Sequence, residues 1–302
     1  MVSKVLLREN GLSLSALVAG MWRLPEQDLL NTSKLRAFVE GCLSLGISTF
    51  DHANIYGRYT CEEAFGKVLK EAPQLKDKIE LISKAGIKPF FAPFPDQRLS
   101  YYDFSSAHLI TEAEKSLSLL NVDALDLWML HRPDYLMHPE ETAKAISHLL
   151  ETGKIKHWAY SNFNQHQAEM IQAYVGVPAQ THQFEFSLLH TNPLEEGLFE
   201  QAFMQKWKPM IWSPLGGGSL FVGKETQVLR IREVLTRLAE EHKVGIETIA
   251  LAWVLRHPSA PVPVLGTGKL SRMAEYAKAI EVQLSRQDWY ELLKATRGED
   301  IP

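Results

Sequence analysis

The chain has 302 residues, 45% hydrophobic and 23% charged, enough apolar material for a packed core without disulfide or metal staples. A formal net charge of −4, with Lys and Arg scattered along the chain, argues against a nucleic-acid or anionic-membrane surface. Cys42 and Cys61 are too few for a disulfide framework and share no metal-ligand spacing with the histidines; without an apolar leader in Met1–Asn10 or a run of about 18 apolar residues, a cytoplasmic location is expected.

In chain order, a hairpin-like stretch turns at Asn10-Gly11, a pair with strong hairpin preference. Leu17–Gly20 reads as a first strand, followed by a helix over Lys34–Leu45, a strand over Ile47–Phe50 and a helix over Glu62–Lys70. The alternation continues with strand Ile79–Ser83 and helix Ser106–Leu120, strand Leu125–Leu130 and helix Pro139–Glu151, strand Lys156–Tyr160 and helix Gln165–Tyr174. Later strands are Ala179–Phe184, Pro209–Trp212 and Pro261–Leu265, with further helices over Ile246–Arg256 and Arg286–Thr296. These strands match the eight of a (β/α)8 TIM barrel, forming one domain over residues 1–302 with an N-terminal hairpin and extra C-terminal helices. An open doubly wound sheet is the alternative, but no G-x-G-x-x-G follows the first strand. The segment Gly86–Ser105, with Phe90, Phe91, Phe94, Tyr101 and Tyr102, is too long and aromatic for a plain connector. It is read either as a substrate-side wall or as packing on the barrel rim.

Ionisable residues stand at or just beyond three of these strands: Asp51, Lys84 and His131, with Tyr56 five positions after Asp51. In a parallel barrel such residues converge on one mouth. A phenol near pKa ~10 transfers a proton poorly at neutral pH, and a neighbouring cation such as Lys84 is expected to lower that value. Asp51 would hold the lysine, and His131 would share the negative charge growing on a carbonyl oxygen during reduction. The set suits carbonyl reduction. His52, His108, His138, His148 and His257 show no ligand spacing, read as surface or packing groups, and imply no metal.

The strings carrying these residues are Gly46-Ile47-Ser48-Thr49-Phe50-Asp51-His52-Ala53-Asn54-Ile55-Tyr56-Gly57, Ser83-Lys84 and Leu130-His131-Arg132-Pro133. With Ser161-Asn162-Phe163, Gln183-Phe184-Glu185-Phe186 and Trp212-Ser213-Pro214-Leu215-Gly216-Gly217-Gly218, the chain resembles the aldo-keto reductase superfamily over nearly its whole length. It is similar to the YdhF-type bacterial oxidoreductases. The resemblance implies a catalytic tetrad of Asp51, Tyr56, Lys84 and His131, with Tyr56 as general acid and NADPH (NADP+) as cofactor. It implies that Ser161, Asn162 and Gln183 bond the nicotinamide carboxamide, and that Trp212 stacks on the nicotinamide ring. Gly20, Met21, Trp22, Asp51, Ser213, Pro214, Leu215 and Gly216 would complete that end, with Gly216–Gly218 as a mobile loop closing over cofactor. Trp22, Tyr56, His131 and Arg132 would wall the substrate pocket.

Two departures from the pattern matter. NADPH-preferring members commonly carry Lys-Ser after the eighth strand and then an Arg. Here Gly266 takes the lysine position, Thr267 and Arg272 match, and Lys269 stands nearby; with Gly268 and Glu275 these residues are expected at the adenosine 2′-phosphate. Where many members have Trp after the catalytic histidine, this chain has Arg132. Its guanidinium either favours a polar or anionic substrate or pairs with Asp134 or Asp126. The expected activity is NADPH-dependent reduction of a small-molecule aldehyde or ketone by a monomer or weak homo-oligomer. The alternative is an NADPH-binding, redox-sensing regulatory subunit with little turnover.

Overall fold

The computed structural model describes residues 1–91 and 97–300. A first hairpin pairs β1 (Lys4–Leu6) with β2 (Ser13–Ser15). At its turn Asn10 has φ 56°, a left-handed conformation that Asn tolerates. Eight strands then close a fully parallel barrel: β3 (Val18–Gly20), β4 (Thr49–Asp51), β5 (Glu80–Ala85), β8 (Leu127–Leu130), β9 (Trp158–Ser161), β10 (His182–Glu185), β11 (Met210–Trp212) and β12 (Val262–Leu265). The remaining strands, β6 (Ile87–Lys88) and β7 (Tyr101–Tyr102), form a small antiparallel ribbon over the mouth. All eight barrel strands read from sequence are present, with ends shifted by at most three residues.

Helices α1 (Thr32–Ser44), α2 (Cys61–Glu71), α3 (Ser106–Leu120), α4 (Pro139–Glu151) and α5 (Gln165–Val175) follow successive strands as the βα alternation requires. Beyond them the sequence reading falls short. It lacks α6 (Leu198–Gln205), the short α7 (Ser219–Val222) and the 17-residue α8 (Thr226–His242), the last with buried Val228, Ile231, Leu235 and Leu238 at helical spacing. Between β11 and β12 the chain inserts α7, α8 and α9 (Ile246–Leu255), so no strand follows α8 to mark it as part of a βα unit. The terminal helices are α10 (Leu270–Ala277) and α11 (Arg286–Arg297). The latter docks through a stacked Trp253–Trp289 pair, 5.0 Å between ring centroids, in which each indole N–H donates to the other residue's carbonyl.

Two cores result. One fills the barrel with Val18, Ile82, Leu127, Met129, Ala159, Met210, Val262 and Val264; Leu7, Leu12 and Leu14 of the hairpin close it from below. The larger core lies between the strands and the helical ring. The hairpin's hydrogen bonds go to the N-terminal starts of strands: Ser15 Oγ accepts from Thr49 N, and Lys208 N donates to Leu7 O. The lower end is thereby stopped, and the open end is the one at which the strands finish.

Candidate active site

At that open end lies a groove of about 880 Å³. Asp51 is the last residue of β4 and Lys84 lies inside β5, while His131 directly follows β8. Lys84 is fully buried, so every ammonium proton needs a partner. Nζ donates to Asp51 Oδ2 at 2.6 Å, to the His52 carbonyl at 2.9 Å and to Tyr56 Oη at 3.4 Å. Tyr56, on the loop after β4, meets His131 edge-on at 6.0 Å between ring centroids and Trp22 at 6.5 Å. Asp51, Lys84 and Tyr56 are therefore one hydrogen-bonded cluster, and His131 joins it through its ring contact with Tyr56.

Its electrostatics differ from the sequence expectation in one respect. Tyr56 is raised well above the ordinary phenol value, by burial first and then by Asp51 and Cys61; Arg132 pulls the other way. Lys84 does not lower it as anticipated, because its ammonium is matched by the Asp51 carboxylate and the pair presents little net charge to the phenol. Burial also draws Lys84 below the usual lysine range, against Asp51 and Glu62. His131 is held far below the usual imidazole value by burial and by the Lys84 and Arg132 cations. At neutral pH the site thus offers a protonated phenol and a neutral imidazole. His131 Nδ1 is buried with no hydrogen-bond partner among the described residues.

Beside the cluster, Ser161, Asn162 and Gln183 are tied to one another and to it. Gln183 Nε2 donates to Asp51 Oδ1 at 3.1 Å, and Ser161 Oγ donates to the Gln183 carbonyl. Asn162 ends β9 in a left-handed turn at φ 61°. That turn lets its amide bridge the His131 carbonyl, Ser161 Oγ and the Trp212 indole, which donates to Oδ1 at 2.9 Å. Gly20, Trp22, Ser213, Pro214 and Leu215 line the same groove; Met21 does not, being fully buried beneath it. Gly217 has φ 64°, and its carbonyl accepts from Arg23 Nη1 at 3.3 Å across the groove, while Gly216 turns toward Leu189.

At the far end Gly266, Thr267, Lys269 and Arg272 line the groove. Lys269 and Arg272 are exposed and make no ion pair with the described residues. A Cβ at Gly266 would meet nothing within 4 Å. Gly268 is packed against Gln27 and Leu29. Glu275 points away, its carboxylate taken by Lys278, Thr248 and the Gly245 N–H; Tyr276 and Glu247 line the groove there instead.

Arg132 pairs with neither expected acid. Asp126 accepts from Leu81 N and Lys156, and Asp134 from the Phe104 and Leu136 amides. The Arg132 guanidinium instead lies over the Trp212 ring, 5.9 Å from its centroid. Of the Gly86–Ser105 segment, Ile87 reaches the groove, whereas Phe91 packs on Tyr59 and Tyr102 on Tyr135. Phe94 lies outside the described residues. Sequence reasoning also missed Arg23 and Gln27 at the groove, and the buried Glu62 behind Lys84. Glu62 accepts from Ser83 Oγ at 2.5 Å and Ser116 Oγ at 3.0 Å, and burial pushes it up to about 7. No local signal marks Arg23 or Gln27. Glu62 differs from its neighbour Glu63 only in the face of α2 it occupies.

Residues 16–296 match the profile of the Aldo/keto reductase family. The chain is 39% identical over 303 residues to Oxidoreductase YdhF of Escherichia coli, covering both chains completely. It is also 39% identical to 6-dehydroglucose reductase of Agrobacterium fabrum, over 96% of this chain and 97% of that one. The crystal structure of a thermostable aldo-keto reductase superposes with a TM-score of 0.82, covering 97% of this chain and 99% of the other, at 23% identity; the barrel is common to both. The chain belongs to the aldo/keto reductase family.

Proposed function

We infer that the protein reduces the carbonyl group of a small aldehyde or ketone using NADPH, with Tyr56 as the proton donor. The observation that carries this reading is the buried Asp51–Lys84 pair placed against the Tyr56 hydroxyl, beside a neutral His131. When bound, the reduced nicotinamide supplies a hydride to the carbonyl carbon. The chain's own residues do the rest. Trp212 offers a ring face, and the Ser161–Asn162–Gln183 network holds amide and hydroxyl groups in fixed positions suited to a carboxamide. His131 orients the carbonyl oxygen by a hydrogen bond from its ring. Tyr56 Oη gives that oxygen a proton, and the phenolate left behind accepts a hydrogen bond from Lys84 Nζ at 3.4 Å and is favoured by the charge of Arg132. At the other end, unpaired Lys269 and Arg272 with Thr267 suit the 2′-phosphate that distinguishes NADPH from NADH.

The test is loss of NADPH absorbance in the presence of purified protein and a panel of aldehydes, ketones and quinones. 6-Dehydroglucose joins the panel because a relative is named for its reduction. Binding of NADPH with no turnover across the panel would favour the regulatory-subunit alternative.

A further inference from the structure

Arg132 is the one charged side chain at the substrate end of the groove with no hydrogen bond or ion pair among the described residues. Every other charge there is answered: Asp51 by Lys84 and Gln183, and Arg23 by Glu26 and the Gly217 carbonyl. It follows His131 directly in sequence, is half-buried, and acts electrostatically on both Tyr56 and His131. An arginine kept against two reacting groups, with the acids Asp126 and Asp134 occupied elsewhere, costs desolvation and disfavours the protonated form of His131. Its planar fork of donors matches a carboxylate in two parallel hydrogen bonds, and Arg132 lines the groove from which a substrate would present one.

We propose that Arg132 is a specificity-determining residue that selects carbonyl substrates carrying a carboxylate. The carbonyl oxygen lies between Tyr56 and His131, and the carboxylate reaches the guanidinium above Trp212. Neutral aldehydes enter the same site without that contact. The proposal rests on the reductase reading and adds the class of substrate to it.

The experiment compares kcat/KM for matched pairs: 4-carboxybenzaldehyde against methyl 4-formylbenzoate, and succinic semialdehyde against butyraldehyde. The wild-type protein is expected to favour the carboxylated member of each pair by tenfold or more, chiefly through KM, and to lose part of that preference as salt is raised. Arg132→Met should bring each ratio near one. Arg132→Lys, which keeps the charge and loses the fork, should retain an intermediate ratio. Equal wild-type efficiency within both pairs, or a ratio that survives in Arg132→Met, overturns the proposal. A parallel fall for charged and neutral aldehydes alike would make Arg132 only a tuner of Tyr56, and overturns it too. 4-Nitrobenzaldehyde serves as the control: if it is reduced while the pairs show no preference, the Arg132 assignment alone fails, whereas no reduction of any aldehyde removes the reductase reading itself.

Discussion

The two ends of the groove are built on opposite plans. At the barrel mouth every polar atom of Lys84 and nearly every one of Asp51, Asn162 and Gln183 is engaged by a neighbour. At the far end Lys269 and Arg272 stand in solvent without ion-pair partners among the described residues, and Gly266 leaves open space. Chemistry needs groups already in position when the barrier is crossed, because reorganising them then would add to it. Recognition of a phosphate needs only charge and reach, which flexible side chains supply. Changes at the first end are therefore expected to alter rate and stability together, and changes at the second to alter affinity alone.

The hardest blow to that contrast would come from Tyr56→Phe, which keeps the ring and removes the proton donor. Turnover of a reactive aldehyde such as a nitrobenzaldehyde should fall by about 100 to 10,000 fold, with NADPH affinity by fluorescence titration nearly retained. Near-normal turnover would sink the assignment of Tyr56 as acid.

Lys84→Met should abolish turnover and also unfold the protein more readily, since it strands Asp51 as a buried, unpaired carboxylate. The loss is expected at about 3 to 5 kcal/mol in urea denaturation. Adding Asp51→Asn should restore much of the stability and none of the activity. Separate, additive effects would show that the pair is not one unit.

Glu62 sharpens the picture from behind the site. Its folded-state value is raised from 4.5 to about 7 by burial, opposed by the Ser83 and Ser116 hydroxyls and by Lys84 and assisted by Glu112. A raised carboxyl means that the folded chain keeps a proton the unfolded chain releases, so stability is fullest below pH 4.5 and declines until about pH 7. Glu62→Gln, neutral throughout, should gain on wild type over that window by about 1 to 3 kcal/mol. A pH-independent difference in Tm would place the ionisation elsewhere.

At the open end, Arg272→Ala should weaken NADPH by about 1.5 to 3 kcal/mol and NADH hardly at all, leaving Tm unchanged. Equal weakening of both cofactors would show that the arginine does not read the 2′-phosphate. The smallest effect is a gain: Gly266→Lys, placed where a side chain meets nothing, should tighten NADPH by about twofold to fivefold, equivalent to a surface ion pair of up to ~1 kcal/mol.

The barrel was open to sequence reading because alternation of apolar runs with amphipathic stretches is a local property, and so were Asp51, Lys84 and His131, since a strand end in a parallel barrel fixes where a side chain arrives. What depends on distant packing was not. Tyr56 is pushed up rather than down because burial dominates and Asp51 and Cys61 add to it, a sum over the folded surroundings that no spacing displays. Met21 sits between groove residues in sequence yet faces the core, as alternation along an extended segment allows. The fate of Arg132 turned on whether Asp126 and Asp134 had other partners. Of those partners, Leu81 lies in β5, and Lys156, Phe104 and Leu136 lie on three separate connecting segments.

The hairpin beneath the barrel also orders events in time. Leu7, Leu12 and Leu14 are synthesised before the barrel they close, but the floor they complete includes Val262 and Val264 of β12. Until β12 emerges and pairs with β3, these leucines have no finished surface to cover. Closure is a long-range contact of the kind that slows folding. The hairpin leucines therefore stay uncovered until almost the whole barrel has been made, so the floor is among the last surfaces of the barrel to be completed.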